Sequence, residues 1–166
     1  MRLLRASFVR RHDGLPAGVW VHGGGSIRLG SGVVFDVSVA PIELHAERTA
    51  EIVIGDGVYV AGGTSIEAQR SVRIGARTRI GVFCKILDGH FHALEGDRQE
   101  RPAPSTVVVE DDVDVGPHCV LLPRAHVGRG STVRAGTVVS RRYPPGVVLS
   151  GIPAGVHGHT ERGERV

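Results

Sequence analysis

Aromatic residues are scarce in this 166-residue chain, since Phe, Tyr and Trp together make up only 4% of it. The core must therefore be built mainly from aliphatic side chains. No apolar run approaches the roughly 18 residues of a membrane-spanning helix, and the N-terminus lacks the apolar region of a secretory signal peptide. We expect a cytoplasmic protein with no membrane span. Glycine is abundant at 24 residues, but no Gly-X-Y period occurs, which excludes collagen.

Blocks of like charge are also missing. The formal net charge is +3, and Lys85 is the single lysine among 20 basic residues that are spread along the chain. Without a basic block or interleaved aromatic residues, nucleic-acid binding is not expected. The chain has two cysteines, Cys84 and Cys119. Each falls at a small inward position of the repeat described next, so we predict buried free thiols rather than a disulfide.

A strict six-residue repeat dominates residues 109–140. Neither an α-helix nor an ordinary alternating strand has this period, whereas short strands joined by tight corners do. Three such strands make one turn of about 18 residues, which predicts an all-β parallel β-helix. The bulky aliphatic positions are Val109, Val115, Leu121, Val127, Val133 and Val139, and the small positions that follow four residues later are Val113, Cys119, Ala125, Ser131 and Thr137.

The repeat is weaker towards the N-terminus. It returns at Ile54, Val60, Ile66, Ile74, Ile80 and Ile86. Before these positions, Val33 and Val39 are assigned to small inward positions, and residues 40–51 interrupt the register. The longer spacing between Ile66 and Ile74 predicts two extra corner residues near Gln69.

The largest interruption follows Ile86. A regular coil would place the next aliphatic residue at position 92, yet the register restarts at Val109. We therefore predict a long loop over residues 88–106, and long loops within compact repeats are often functional. The predicted organisation is an N-terminal capping segment (1–26), the β-helix domain (27–156) and a flexible tail (157–166).

The loop contains two histidines, His90 and His92. An imidazole titrates near neutral pH and can take a proton from a hydroxyl or amine as it attacks an acyl group. A metal site is the competing use, with His118 and His126 as further ligands. These two are eight residues apart, so a six-residue repeat places them on different faces. No Cys-x-x-Cys or His-x-x-x-His spacing occurs, and no intrinsic metal is expected.

Three blocks of the sequence resemble the hexapeptide-repeat acyltransferases, whose known fold is a left-handed parallel β-helix. Residues 80–92 end in Asp-Gly-His-Phe-His and resemble the family stretch Asp-x-Asp-Phe-His. Residues 133–141 resemble its Gly-Ala-Gly-Ser-Val-Val-Thr-Lys block. Residues 143–154 resemble its Ile-Pro-Pro … Gly-Asn-Pro-Ala ending. The resemblance spans about residues 27–156 and is to the maltose/galactoside and polysaccharide O-acetyltransferase branch.

The resemblance implies an acetyl-CoA-dependent O- or N-acetyltransferase that forms a homotrimer, with active sites between adjacent prisms. The acceptor would be a sugar or another small hydroxylated or amino compound, acetylated by direct transfer. The match to Asp-x-Asp-Phe-His makes His92 the general base. A different branch ends its loop in Thr-Gly-His, and that pattern would make His90 the base instead.

The resemblance also implies a coenzyme A site along the later coils. Ala135 matches a family position that contacts the cofactor, and Ser140 with Arg141 occupies the place of Thr-Lys. Pro117 stands where some relatives have a contacting serine, so that hydrogen bond would be missing. Asp114 replaces a tryptophan of the family, and Gly155 with Val156-His157 replaces a basic ending of the family sequence. Packing within the repeat is the alternative role for Ala135 and Ser140.

Two other functions use the same prism. The first is a zinc enzyme like the γ-class carbonic anhydrases, which needs a histidine followed by another five residues later, a spacing that His118 and His126 do not have. The second is a non-catalytic trimeric scaffold that has lost its cofactor pocket. The departures from the family sequence at Asp114 and Pro117 are the reason to consider it. No residue in the sequence identifies the acceptor.

Overall fold

A computed structural model describes residues 2–5, 14–89 and 103–160, and these ranges contain β-strands and turns but no helix. The described ranges accordingly contain no helix that is long and apolar enough to span a membrane. The strands are β1 (Arg2–Arg5), β2 (Val19–Gly23), β3 (Ser26–Leu29), β4 (Val34–Asp36), β5 (Ile42–Ala46), β6 (Glu51–Ile54), β7 (Tyr59–Ala61), β8 (Ser65–Ala68), β9 (Ser71–Ile74), β10 (Arg79–Ile80), β11 (Lys85–Leu87), β12 (Thr106–Val109), β13 (Asp114–Val115), β14 (Val120–Leu121), β15 (His126–Val127), β16 (Thr132–Val133), β17 (Val138–Val139), β18 (Arg142–Tyr143), β19 (Val147–Ser150) and β20 (Gly155–His159).

The strands form three sheets that are the faces of a prism. Face A has the order β1-β3-β6-β9-β12-β15-β18, face B the order β2-β5-β8-β11-β14-β17, and face C the order β4-β7-β10-β13-β16-β19-β20. Neighbouring strands are parallel, except for the antiparallel pairs β1–β3 and β19–β20 at the two ends. The chain visits the faces in the order B, A, C and makes about five turns. The expectation of an all-β parallel β-helix is confirmed.

The core is a stack of aliphatic side chains from successive coils. On face B, Val21, Leu44, Ile66 and Ile86 lie in one column that continues through Leu121 and Val139. All of these side chains have 0% exposure. The bulky and small positions predicted for residues 109–140 are all buried, which confirms the six-residue repeat. Stacking like this removes apolar surface from water on every face of every coil.

Side chains at the small positions also link the coils by hydrogen bonds at the C-to-B corner. The Thr64 hydroxyl donates to the Gly81 carbonyl at 3.0 Å, and the thiols of Cys84 and Cys119 donate to the carbonyls of Gly116 and Arg134. Both cysteines are buried and free, as predicted. Contact with the Cys119 thiol and burial raise the pKa of Cys84.

The N-terminal coils differ from the sequence prediction. Val39 was predicted to lie at a small inward position but is 62% exposed. Residues 40–51 do not interrupt the prism, because β5 within them pairs with β2 and β8 on face B. The physical reason is that β5 has five residues and buries Ile42, Leu44 and Ala46 in alternation. A strand of that length shows a period of two, which hides the period of six.

Strand pairing extends past both ends of the range 27–156. Strand β2 lies in face B beside β5, so the coil begins at Val19. At the other end, β20 folds back along β19 and pairs with it as far as His159. Gly23 closes the first corner, where a Cβ atom would lie 1.8 Å from the Ala46 carbonyl oxygen. Only glycine fits such a close approach between backbones.

Because the core is a close-packed column, removing one inward leucine should be costly. We expect Leu121→Ala to lower the free energy of unfolding by about 2–5 kcal/mol, since it removes buried contacts and leaves a cavity. Leu122 is the matched control, because it is the next residue and is only half-buried. Urea denaturation followed by circular dichroism measures both variants. Equal losses for the two would contradict this description of the core.

Candidate active site

Asp88 closes the stem of the predicted loop. Its carbonyl oxygen accepts a hydrogen bond of 2.8 Å from the Ser105 N–H, which lies on the far side of the loop. Its carboxylate accepts hydrogen bonds from the backbone N–H groups of Gln69, Arg70 and Ser71 at 2.7, 2.8 and 2.5 Å. Asp88 has 0% exposure. One buried carboxylate thus holds the wide corner at 69–71 and the point where the chain leaves the prism.

His90 and His92 both lie outside the described residues, so the assignment of the general base stays a prediction. The described residues on either side of the loop show where it starts and ends. The chain leaves face B after β11 and is described again from Ala103, shortly before β12 of face A. The stem therefore lies at the B-to-A corner of the prism.

Polar side chains lie on the outward surface of face B next to this stem. The Ser65 hydroxyl donates to the Glu67 carboxylate at 2.9 Å, and Lys85 Nζ lies 3.4 Å from the same oxygen, Glu67 Oε1. His45 occupies the coil next to Glu67 in the same outward column. This group of donors and acceptors can hydrogen-bond hydroxyl or amino groups of a small molecule beside the loop stem.

The four residues predicted to contact coenzyme A lie on the two edges of face B. Pro117 and Ala135 are at the C-to-B corner on successive coils, where the Gly136 N–H donates to the Pro117 carbonyl at 2.9 Å. Ser140 and Arg141 are at the B-to-A corner, directly after β17. Pro117, Ala135 and Arg141 are exposed. The structure therefore brings these residues together as two pairs, with β17 between them.

Arg141 is oriented by a tyrosine. Its guanidinium lies 5.4 Å from the centre of the Tyr143 ring, and its Nε donates to the Tyr143 hydroxyl at 3.1 Å. The hydroxyl in turn donates to the Ala154 carbonyl. A guanidinium held in this way loses less freedom when it binds an anion than a free side chain would.

An open groove runs along the B-to-A corner, next to Ser140 and Arg141. It is lined by Ser105, Thr106, Val108, Arg124, Ala125, His126, Ser140, Arg141 and Arg142, and its volume is about 530 Å³. Sequence reasoning did not identify Arg124 or Arg142 as groove residues. A signal was present, because each is the third residue after an inward aliphatic residue of face B, Leu121 and Val139 respectively.

The two histidines considered as metal ligands are far apart in the fold. His118 lies at the C-to-B corner, where its ring stacks on Phe83 with 5.4 Å between centroids. His126 lies on face A, and its Nε2 is 2.7 Å from a Glu110 carboxylate oxygen. That contact lowers the pKa of Glu110. Within residues 14–89 and 103–160, no group of three or more potential ligands is placed to hold a metal ion.

Comparison with proteins of known structure identifies the fold. A hexapeptide-repeat-containing acetyltransferase from Vibrio cholerae, solved with acetyl coenzyme A, superposes with a TM-score of 0.70 at 25% identity, over 81% of this chain and 71% of that one. A galactoside acetyltransferase solved with coenzyme A superposes with a TM-score of 0.73 at 21% identity, over 83% of this chain and 67% of that one. The chain has the hexapeptide-repeat acyltransferase fold. The resemblance found in the sequence is thereby confirmed.

Sequence comparison gives a shorter match. The hexapeptide-repeat chain is 44% identical over 57 residues to the 2,3,4,5-tetrahydropyridine-2,6-dicarboxylate N-acetyltransferase of Staphylococcus aureus. The match covers 34% of this chain and 24% of that protein, so this chain spans about a quarter of the length of that curated relative. No family model matches the chain.

The loop stem should depend on the Asp88 carboxylate. We expect Asp88→Ala to lower the free energy of unfolding by about 3 kcal/mol or more, because three backbone N–H groups lose their acceptor. Asp114→Ala is the matched control, since Asp114 is exposed on face C. Denaturation curves compare the two variants with the wild type. The assigned role of Asp88 is wrong if both variants are as stable as the wild type.

Proposed function

We propose that this chain is an acetyl-CoA-dependent acetyltransferase. One observation carries the proposal: Pro117 with Ala135, and Ser140 with Arg141, flank face B on the two coils that follow the loop stem. The fold is shared with acetyltransferases that were solved with coenzyme A or acetyl coenzyme A. Along this surface, exposed backbone and the Arg141 guanidinium offer hydrogen bonds and a positive charge for a phosphorylated cofactor.

The acceptor is a sugar or another small hydroxylated or amino compound. The surface of face B next to the stem offers both hydrogen-bond donors and acceptors, from Ser65, Glu67, Lys85 and His45. Such a surface suits a molecule with several hydroxyl groups. The galactoside acetyltransferase among the structural neighbours supports a sugar acceptor, and the Staphylococcus aureus N-acetyltransferase supports an amino acceptor.

The loop supplies the general base, with His92 as the first candidate and His90 as the second. The imidazole takes the proton as the acceptor oxygen or nitrogen attacks the thioester carbonyl carbon. The carbon–sulfur bond then breaks, and the coenzyme A thiolate leaves and is protonated. A backbone N–H stabilises the negative charge on the carbonyl oxygen. Asp88 acts through the backbone, since its hydrogen bonds hold the stem from which both histidines extend.

The active unit is a homotrimer in the cytoplasm. Two observations support this. Trp20 and Phe83 are 40% and 45% exposed on a single chain, which suits contact with neighbouring prisms. Cys84 and Cys119 are free rather than paired, which suits a reducing compartment. Sedimentation equilibrium should give three times the mass of the chain.

Acetyl transfer tests the proposal. With a panel of sugars and amines, the wild type should release free coenzyme A thiol from acetyl-CoA in an acceptor-dependent manner. We expect His92→Ala to lower kcat by about 10²–10⁴-fold, with a smaller effect for His90→Ala. His159→Ala is the control, because His159 is exposed on β20 and the resemblance gives it no role.

Each result has a distinct meaning. If both loop variants keep wild-type rates, the assignment of the general base is wrong. If the wild type releases no thiol with any acceptor and does not bind coenzyme A, the chain is a non-catalytic scaffold.

A further inference from the structure

The polar surface of face B continues past the proposed acceptor group to the N-terminal end of the prism. Strand register aligns its outward side chains in two columns, which we call the face B strip. From the loop stem to the N-terminal end, the first column consists of Lys85, Ser65, Glu43 and Trp20. The second column, two residues further along each strand, consists of Glu67, His45 and His22. The proposed acceptor group does not include Trp20, His22 and Glu43.

The far end of the strip repeats the chemistry of the near end. Next to the stem, Lys85 Nζ lies 3.4 Å from Glu67 Oε1 in the neighbouring coil. Two coils away, His22 Nε2 lies 3.4 Å from Glu43 Oε1, also in the neighbouring coil. A carboxylate can accept about four hydrogen bonds, so each pair keeps capacity for a ligand. The strip thus presents two similar pairs of nitrogen donor and carboxylate acceptor.

The composition of the strip selects the kind of ligand. Each carboxylate lies against a nitrogen atom, so the strip has no block of like charge and does not favour a highly charged ligand. Alternating donors and acceptors suit hydroxyl groups, which both donate and accept. Beyond Lys85 the first column continues as Val120 and Val138. The polar character of that column therefore ends at the stem.

The spacing of the strip suits a chain of linked units. Neighbouring strands lie about 4.8 Å apart, so the three steps from Lys85 to Trp20 span about 14 Å. A sugar unit in an extended chain advances by a distance similar to one strand spacing. Each coil can therefore present its side chains to one sugar unit. A monosaccharide at the stem would not reach Trp20.

Trp20 provides an aromatic surface at the far end. It is the single tryptophan of the chain, and it is 40% exposed beside Glu43. The C–H groups on one face of a sugar ring form an apolar surface that can pack on an indole ring, while the hydroxyl groups at the ring edge bind polar side chains. An exposed tryptophan next to carboxylate and imidazole groups matches this requirement.

We propose that the face B strip binds an extended oligosaccharide of about four sugar units, one for each coil. Its reacting unit lies at the loop stem, and its last unit packs on Trp20. The inference rests on the proposed acetyl transfer, because it extends the acceptor site of that reaction. It narrows the acceptor to a sugar chain.

The dependence of the reaction on acceptor length tests the proposal. The probes are α-1,4-linked glucose, β-1,4-linked glucose and β-1,4-linked glucosamine oligomers, each with one to four units. In at least one series, we expect kcat/KM to rise by about tenfold or more from one unit to four, with little change in kcat. The reason is that contacts remote from the reacting unit strengthen ground-state and transition-state binding alike. Thiol release measures the rates, and calorimetry without acetyl-CoA measures binding.

Variants at the far end identify the residues. Trp20→Ala and Glu43→Gln should each lower kcat/KM for the four-unit acceptor by about three- to tenfold and leave the value for one unit unchanged. Trp20→Tyr keeps an aromatic ring and should retain most of the effect of length. Val34→Ala and Glu51→Gln are the matched controls, because Val34 is exposed on face C and Glu51 lies on face A. Both controls should behave like the wild type.

Three results would overturn the proposal. The first is wild-type rates for both far-end variants with every acceptor, and the second is an equal loss for one unit and four units. The third is a Trp20→Ala variant that loses the sedimentation mass of the wild type together with activity towards all lengths. That result would make Trp20 a contact between subunits.

Failure of the proposed acetyltransferase function gives a different pattern. In that case no acceptor releases thiol from acetyl-CoA, and calorimetry decides about the strip. Binding of a four-unit oligomer that is weakened in Trp20→Ala would support the oligosaccharide site without the reaction. If the wild type binds none of the oligomers, the strip is not such a site.

Discussion

Each coil of this prism must place a bulky aliphatic side chain on each face, directly beneath the one in the next coil. The parallel hydrogen bonds fix the register between coils, as Ile86 beside Leu121 and Leu121 beside Val139 show. A slip by one residue would turn these side chains outwards and expose the core. The corners must therefore return each strand to register with the previous coil, even where corner lengths differ, as between Leu121–Val127 and Val139–Tyr143. The small side chains and the glycines follow from this requirement.

The same constraint limits where function can be located. Inward positions are committed to packing, so chemistry is left to outward positions, to corners and to segments that leave the prism. Asp88 connects these parts, because it caps the wide corner at 69–71 and joins the two sides of the loop stem. The proposed cofactor residues lie on corners, and the proposed acceptor residues lie on the outward side of face B. A rigid prism thus positions groups that come from different coils.

The sequence predicted the regular part of the fold well. The aliphatic and small positions of residues 109–140 are buried, and Cys84 and Cys119 have the predicted environment. Prediction failed at Val39 and over residues 40–51, because longer strands bury alternate residues and obscure the period. The role of Asp88 was not predictable, since it depends on contacts with residues 17–19 positions earlier in the chain.

The candidate site was predictable only in part. The acyltransferase resemblance assigned Ala135, Ser140, Arg141 and Pro117, but not their arrangement on two edges of one face. Arg124 lies at a B-to-A corner that is longer than the same corner in the next coil. The inward residues on either side of it, Leu121 and Val127, are six residues apart, whereas Val139 and Tyr143 in the next coil are four apart. The repeat alone could not show that Arg124 and Arg142 line one groove. The three-dimensional stacking of the coils was needed for that.

Calorimetric titration with coenzyme A tests the central claim most directly, namely that the edges of face B hold the cofactor. We expect the wild type to bind one coenzyme A per chain. Ala135→Glu should weaken binding at least tenfold, because it places a bulky negative charge against the cofactor. Ala17→Glu, at the exposed N-terminal end, should bind normally. Absence of binding to the wild type, or unchanged affinity in Ala135→Glu, would contradict the claim.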